Sequence, residues 1–206
     1  DLFGGGGETP KEICEDCGLL RSWSLDGKVM LSQERMWEGS KLVAVRINRI
    51  DVLSGRKTVL LEKGGFLFSP NLSPDGHWVA FQARRTLAAR REQLFLAPMS
   101  DGAPVEPERW VPITELKYFD ANPVFSRDGR VIYFTSDRDG FTCLWAVRLD
   151  PASKKPAGDP YPVKHFHASP RHHSWYPVFG VGPDRIIISL EQVQSDLWMT
   201  QLPEGN

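Results

Sequence analysis

The chain has 206 residues, 41% of them hydrophobic and 11% aromatic, enough apolar side chains to bury a core and unlike the composition of a disordered segment. Its 25 basic and 26 acidic residues leave a formal net charge of −1 and are spread along the chain, so no basic footprint marks it as a partner of nucleic acid or anionic lipid. No apolar run approaches the ~18 residues of a membrane-spanning helix, and the start of the chain lacks the basic-then-apolar order of a secretory signal; insertion or export would need a segment upstream.

Gly4 to Gly7 is followed by Glu8-Thr9-Pro10, with neither the Lys nor the helix of a phosphate-binding loop, and reads as a flexible turn. Pro10 to Cys14 then reads as a short outer strand. Cys14 and Cys17 form a lone C-x-x-C pair; with Cys143 they are three cysteines, the wrong parity for a disulfide framework and without a second pair for a zinc site. Glu15 and Asp16 would raise a neighbouring thiol pKa rather than activate it. The pair therefore reads as the end of a strand and a turn at Gly18, and the redox compartment stays open.

From here the sequence repeats. Trp23-Ser24-Leu25-Asp26-Gly27, Leu72-Ser73-Pro74-Asp75-Gly76 and Phe125-Ser126-Arg127-Asp128-Gly129 share an apolar residue followed by Ser-x-Asp-Gly, and a weaker copy runs from Pro177 to Asp184. The aspartates stand 49, 53 and 56 residues apart, a period that in a β-rich chain points to propeller blades. Ser-x-Asp-Gly suits a tight hairpin, because Asp can bond nearby backbone N–H groups and Gly accepts positive φ.

Each turn is followed by an apolar run: Val29 to Leu31, Trp78 to Phe81, Val131 to Phe134 and Ile186 to Ile188. These are predicted as second strands buried on both faces. Third strands follow at Leu42 to Ile47, Leu94 to Leu96, Leu144 to Leu149 and Leu197 to Leu202. Shorter fourth strands follow at Thr58 to Leu61, Trp110 to Ile113 and Tyr161 to Val163, where prolines suit an edge. Trp23, Trp78, Trp145 and Trp198 recur at strand positions and are expected to pack between blades.

The expected fold is all-β: a single domain of about four four-stranded blades, over residues 18–65, 66–117, 118–167 and 168–206. Residues 9–15 would supply the outer strand of the last blade and close the ring, which would remove open strand edges. The alternatives are part of a larger ring, or a homodimer that completes one.

Asn122 to Arg130, followed by Phe134-Thr135-Ser136-Asp137-Arg138-Asp139-Gly140 and Leu144-Trp145, closely resembles the TolB-like propeller repeat, whose blades carry Pro-x-Phe-Ser-Pro-Asp-Gly and later Ser-Asp-Arg-x-Gly. The copies cover most of residues 18 to 202. In the first copy Arg21 stands where Pro is expected, and the fourth has lost the Ser and the Gly. The resemblance implies a non-catalytic module for protein or peptide recognition, the sensor or scaffold part of a larger bacterial protein, with a lean towards an extracytoplasmic site. Related propellers also guard serine peptidases, but no G-x-S-x-G elbow stands in this sequence.

A partner is expected on the face formed by the loops between blades, with Lys63, Phe66, Lys117, Tyr118, Asp120, Arg171, His173 and Trp175 as candidate contacts. No cofactor is expected. Four of the five histidines, His165, His167, His172 and His173, fall close together, and imidazole suits Zn, Mn or Cu. The alternative function is thus a metal-dependent polysaccharide lyase or hydrolase fragment using that cluster. The basic run from Arg84 to Arg91 is expected as a short helical excursion that is solvated or meets an acidic partner.

Overall fold

The computed structural model describes residues 12–63, 65–167, 172–173, 179–191 and 199. Twelve strands form three antiparallel meanders. The first contains β1 (Leu19–Trp23), β2 (Val29–Glu38), β3 (Lys41–Asp51) and β4 (Lys57–Leu61). The second contains β5 (Phe66–Leu72), β6 (Trp78–Arg84), β7 (Gln93–Pro98) and β8 (Val111–Pro112). The third contains β9 (Ala121–Phe125), β10 (Val131–Ser136), β11 (Cys143–Arg148) and β12 (Tyr161–Lys164).

Beyond them, β13 (His172–His173) pairs with β16 (Leu190–Glu191), and β14 (Phe179–Val181) pairs with β15 (Ile186–Ile188). A single parallel pairing of Val45 with Phe66 joins the first two meanders into one sheet. Among the described residues the one helical element is a 3-10 turn, Pro107–Arg109. No helix there is long and apolar enough to cross a membrane.

The Ser-x-Asp-Gly turns share one bonding pattern. Ser24, Ser73 and Ser126 each donate their hydroxyl to the Asp two residues on and accept the backbone N–H five residues on, from Val29, Trp78 and Val131 at 2.9 Å. Gly27, Gly76 and Gly129 take φ of 72, 73 and 68°, where a side chain would be strained. The serine hydroxyl and a backbone N–H hold Asp26 and Asp128 below the usual carboxylate range. At Asp75 partial burial acts upward, and the same hydrogen bonds outweigh it. The repeated motif is thus a self-bonded hairpin that sets the register of the strands it joins.

Alternation along β6 and β7 sends side chains into two cores. Val79, Phe81, Ala83 and Ala97 pack with Leu31, Ile47, Leu60 and Leu61 of the first meander, whereas Ala80, Leu94 and Leu96 pack with Phe125, Ile132, Phe134 and Trp145 of the third. The second meander is therefore covered on both faces. At about 25 cal/mol per Å² these layers are the main attraction between neighbouring meanders. Buried polar groups fix how they dock: the Ser69 N–H donates to Gln33 Oε1 at 2.9 Å, and one repeat later the Asn122 N–H donates to Gln82 Oε1 at 2.6 Å. Ser69 and Asn122 both have positive φ, 50 and 55°, so the same kink is used twice.

Four expectations change. Of the expected outer strand over residues 9–15, residues 12–15 form no strand and residues 9–11 lie outside the described residues; Lys57 Nζ donates to Asp16 O at 2.7 Å, and the Ile13 carbonyl oxygen would clash with a Cβ on Gly55. These contacts hold the segment on the first meander, and among the described residues no strand closes a ring. Cys14 and Cys17 are joined as a disulfide, where the sequence reading gave only a strand end and a turn. Residues 85–91 contain one turn, with Ala89 N–H bonded to Thr86 O, and no helix; so short a stretch cannot offset the cost of helix nucleation. Trp23 is 53% exposed rather than packed between sheets, while Trp145 is buried and Trp78 packs on the second core. Trp198 lies outside the described residues.

Candidate functional site

The Ser136-Asp137-Arg138-Asp139-Gly140 turn between β10 and β11 gathers most of the chemistry on one end of the sheets. Ser136 Oγ accepts from Arg138 Nε at 3.0 Å, and Asp137 Oδ1 accepts the Phe119 N–H at 2.8 Å. Arg138 Nη2 donates to Asp120 Oδ1 at 3.0 Å, and Asp120 is fully buried. The same guanidinium stands 5.0 to 5.2 Å from the ring centroids of Tyr118, Phe134 and Trp145. A delocalised cation bonded to a buried carboxylate and ringed by aromatic faces is held rigidly and is costly to remove.

Arg138 also lines a cleft of about 580 Å³ between the second and third meanders. Gln93, Ile113, Thr114 and Lys117 form one wall, Pro156 and Pro160 the other, and Tyr118 lies beside Arg138. The first wall is fixed by hydrogen bonds: Gln93 Nε2 donates to Thr114 O at 2.6 Å, and the Leu94 N–H to Thr114 Oγ1 at 3.1 Å. Tyr118 remains 37% exposed and Leu116 48%.

On the other side of Arg138, Asp139 faces the segment that follows β12. Its Oδ2 is 2.7 Å from His165 Nδ1 and 3.0 Å from His167 Nε2. Cys143, the first residue of β11, is buried beside them and its Sγ accepts the Phe166 N–H at 3.4 Å. Ligand atoms of Asp139, Cys143, His165 and His167 all lie within 4.8 Å of one another. Partial burial acts upward on the Asp139 carboxyl, but the Phe141 N–H and the two imidazoles hold it below its usual range. Burial pushes the Cys143 thiol up, and the neighbouring Asp139 charge adds to this.

Glu92 occupies the corresponding junction of the second meander with the third. Its carboxylate contacts Gln82 and lies 3.3 Å from Arg84 Nη1, and its backbone bridges to Phe119. Burial raises its pKa to about 7, against the pull of the Arg84 charge and the Gln82 hydrogen bond.

No protein-family model and no curated protein matches this chain. Solved structures do. TolB from Acinetobacter baumannii superimposes with a TM-score of 0.58 and 16% identity over 90% of this chain and 44% of that one. The chain has a TolB-like propeller fold. An oligogalacturonate lyase in complex with manganese matches at TM-score 0.52 with 16% identity, over 74% of this chain and 45% of the lyase. Prolyl oligopeptidase B from Galerina marginata matches at 0.54 with 11% identity, over 85% of this chain and 24% of that one. The chain thus spans less than half the length of each, and the likeness is one of fold.

Within the propeller the expected contact residues separate. Lys117 and Tyr118 line the cleft. Lys63 is held by Glu106 at 2.8 Å, Phe66 is buried at the start of β5, and Asp120 is buried under Arg138, so the last two offer no free side chain. Arg171 and Trp175 lie outside the described residues. The backbones of His172 and His173 pair with Glu191 and Leu190, and their side chains also lie outside. His165 and His167 do meet, but with Asp139 and Cys143, which the sequence reading had not singled out. The available signal was the Ser-Asp-Arg-x-Gly turn, which places Arg138, Asp139 and Cys143 at the mouth of one β-hairpin.

Proposed function

We propose that the chain is a non-catalytic propeller module that binds a protein or peptide in the cleft beside Tyr118 and Arg138. The observation that carries this reading is the cleft itself: about 580 Å³, a size typical of ligand sites, with an amphipathic Tyr and an Arg held rigid beside two prolines. Rigid aromatic and Arg anchors lose little entropy on binding and dominate many interfaces. Lys117 and Glu115 at the rim are paired and exposed, suited to orienting a polar segment rather than to binding strength. The module serves as the sensor or scaffold part of a larger bacterial protein. An extracytoplasmic setting is the one that the resemblance to the TolB-like repeat implies.

A displayed peptide library selected against the intact chain, with hits measured by calorimetry, tests the proposal. The expected result is a peptide whose affinity falls by about tenfold or more in Tyr118→Ala while Lys63→Ala leaves it unchanged. Binders insensitive to Tyr118→Ala and to Lys117→Glu, or no binder from repeated selections, would overturn the cleft as the recognition site.

A further inference from the structure

We propose that Asp139, Cys143, His165 and His167 form a binding site for a divalent, borderline-soft transition-metal ion, Zn²⁺ above all. The donor set is two imidazole nitrogens, one thiolate and one carboxylate, a mixture that zinc accepts in four-coordinate geometry. All four donor atoms already converge within 4.8 Å of one another. Bonds of about 2.0 to 2.3 Å from a central Zn²⁺ require them to be roughly 3 to 4 Å apart. The contraction needed is small, and the His165 and His167 contacts to Asp139 at 2.7 and 3.0 Å are already that close.

Three of the surroundings favour a built site over a chance cluster. Cys143 is completely buried within the second core, so its sulfur is fixed by the β10–β11 pairing rather than by a mobile loop. The imidazoles are wedged by aromatic rings: Trp145 meets His165 at 5.8 Å edge-on, and Phe141 covers His167 at 4.4 Å. The Asp139 carboxylate also accepts the Phe141 N–H at 3.4 Å, which orients it from behind. Such supporting contacts hold ligands ready for an ion.

Four protein donors complete a tetrahedral shell and leave no position for a substrate. This is the arrangement of structural zinc sites rather than catalytic ones. The ion would tie the β10–β11 turn to the segment after β12, next to Arg138, and stiffen that end of the third blade. Binding displaces the proton of the Cys143 thiol to solvent. The inference stands apart from peptide recognition and fails or holds independently of it.

The untagged chain, stripped with chelator, is titrated first with Zn²⁺ in competition with a chromophoric chelator and then with Co²⁺. One equivalent of tight binding is expected, with a thiolate-to-cobalt charge-transfer band and the intense visible bands of a tetrahedral centre. Saturating Zn²⁺ should raise the melting temperature by about 5 °C or more. His167→Gln, at an exposed position, and Asp139→Asn should each weaken binding by about tenfold or more. Cys143→Ser should abolish the charge-transfer band; should this buried variant fold poorly, His167→Gln and His165→Ala still decide the question. Absence of binding at micromolar metal would overturn the site. So would binding unaffected by the His165 and His167 substitutions, or a cobalt spectrum without sulfur charge transfer.

Discussion

Replacement of Glu92 by Gln isolates one titration at the junction of the second and third blades. In the folded chain the Glu92 pKa is raised from an ordinary 4.5 to about 7 by burial. The folded state therefore binds more protons than the unfolded state between those two values, and stability falls as pH rises through that window. The full effect is about 3 kcal/mol, of which most is lost between about pH 5 and pH 8. Urea unfolding followed by tryptophan fluorescence gives the stability of wild type and Glu92→Gln at both ends. Wild type should lose about 2 to 3 kcal/mol relative to the variant on going from the lower pH to the higher. Histidine titrations are common to both proteins and cancel in the difference, and the depressed aspartates of the Ser-x-Asp-Gly turns titrate below the window. A difference that stays constant with pH would show that the Arg84 charge keeps Glu92 ionised throughout, and would refute the assignment of burial as the dominant cause.

Arg138→Ala should destabilise the chain by about 3 to 5 kcal/mol in chemical denaturation, because it strands the buried Asp120 carboxylate; Arg138→Lys should recover only part, since an ammonium cannot match the guanidinium across Asp120, Ser136 and three rings. Ser126→Ala removes one acceptor and one donor at the third hairpin and should cost about 1 kcal/mol, measured as a shift of the urea midpoint with unchanged slope. Gly65→Ala should cost about 1 to 3 kcal/mol: Gly65 has φ of 100°, and a Cβ there would stand 2.7 Å from Arg84 O. A Gly65→Ala variant as stable as wild type by thermal melting would mean that the link between β4 and β5 relaxes freely.

The three complete hairpin turns were legible in the residues, because their bonds are local: a hydroxyl, a carboxylate and a glycine within five positions settle the turn before any distant contact forms. The apolar runs after them were legible for the same reason, since alternation and length reflect burial in a sheet. Trp23 shows the limit. Its position matches the buried Leu72 and Phe125 in the repeat, yet it stands at an exposed edge, because burial depends on which sheet lies opposite. The candidate contacts show it again. Phe66 and Asp120 looked like loop residues near a binding face, but Phe66 is buried where β5 meets Val45 of the first blade, and Asp120 lies under Arg138 of its own blade.

What the sequence determined by itself was the repeat, the all-β class and the turn chemistry, all set by interactions within a few residues of one another. Only the tertiary structure decided which side chains from separate strands share a site. Asp139 and Cys143 lie in one hairpin, and His165 and His167 lie more than twenty positions further on. They meet because β12 runs back antiparallel beside β11 and because Phe166, between the two histidines, packs on the core between the second and third blades, which no local spacing records.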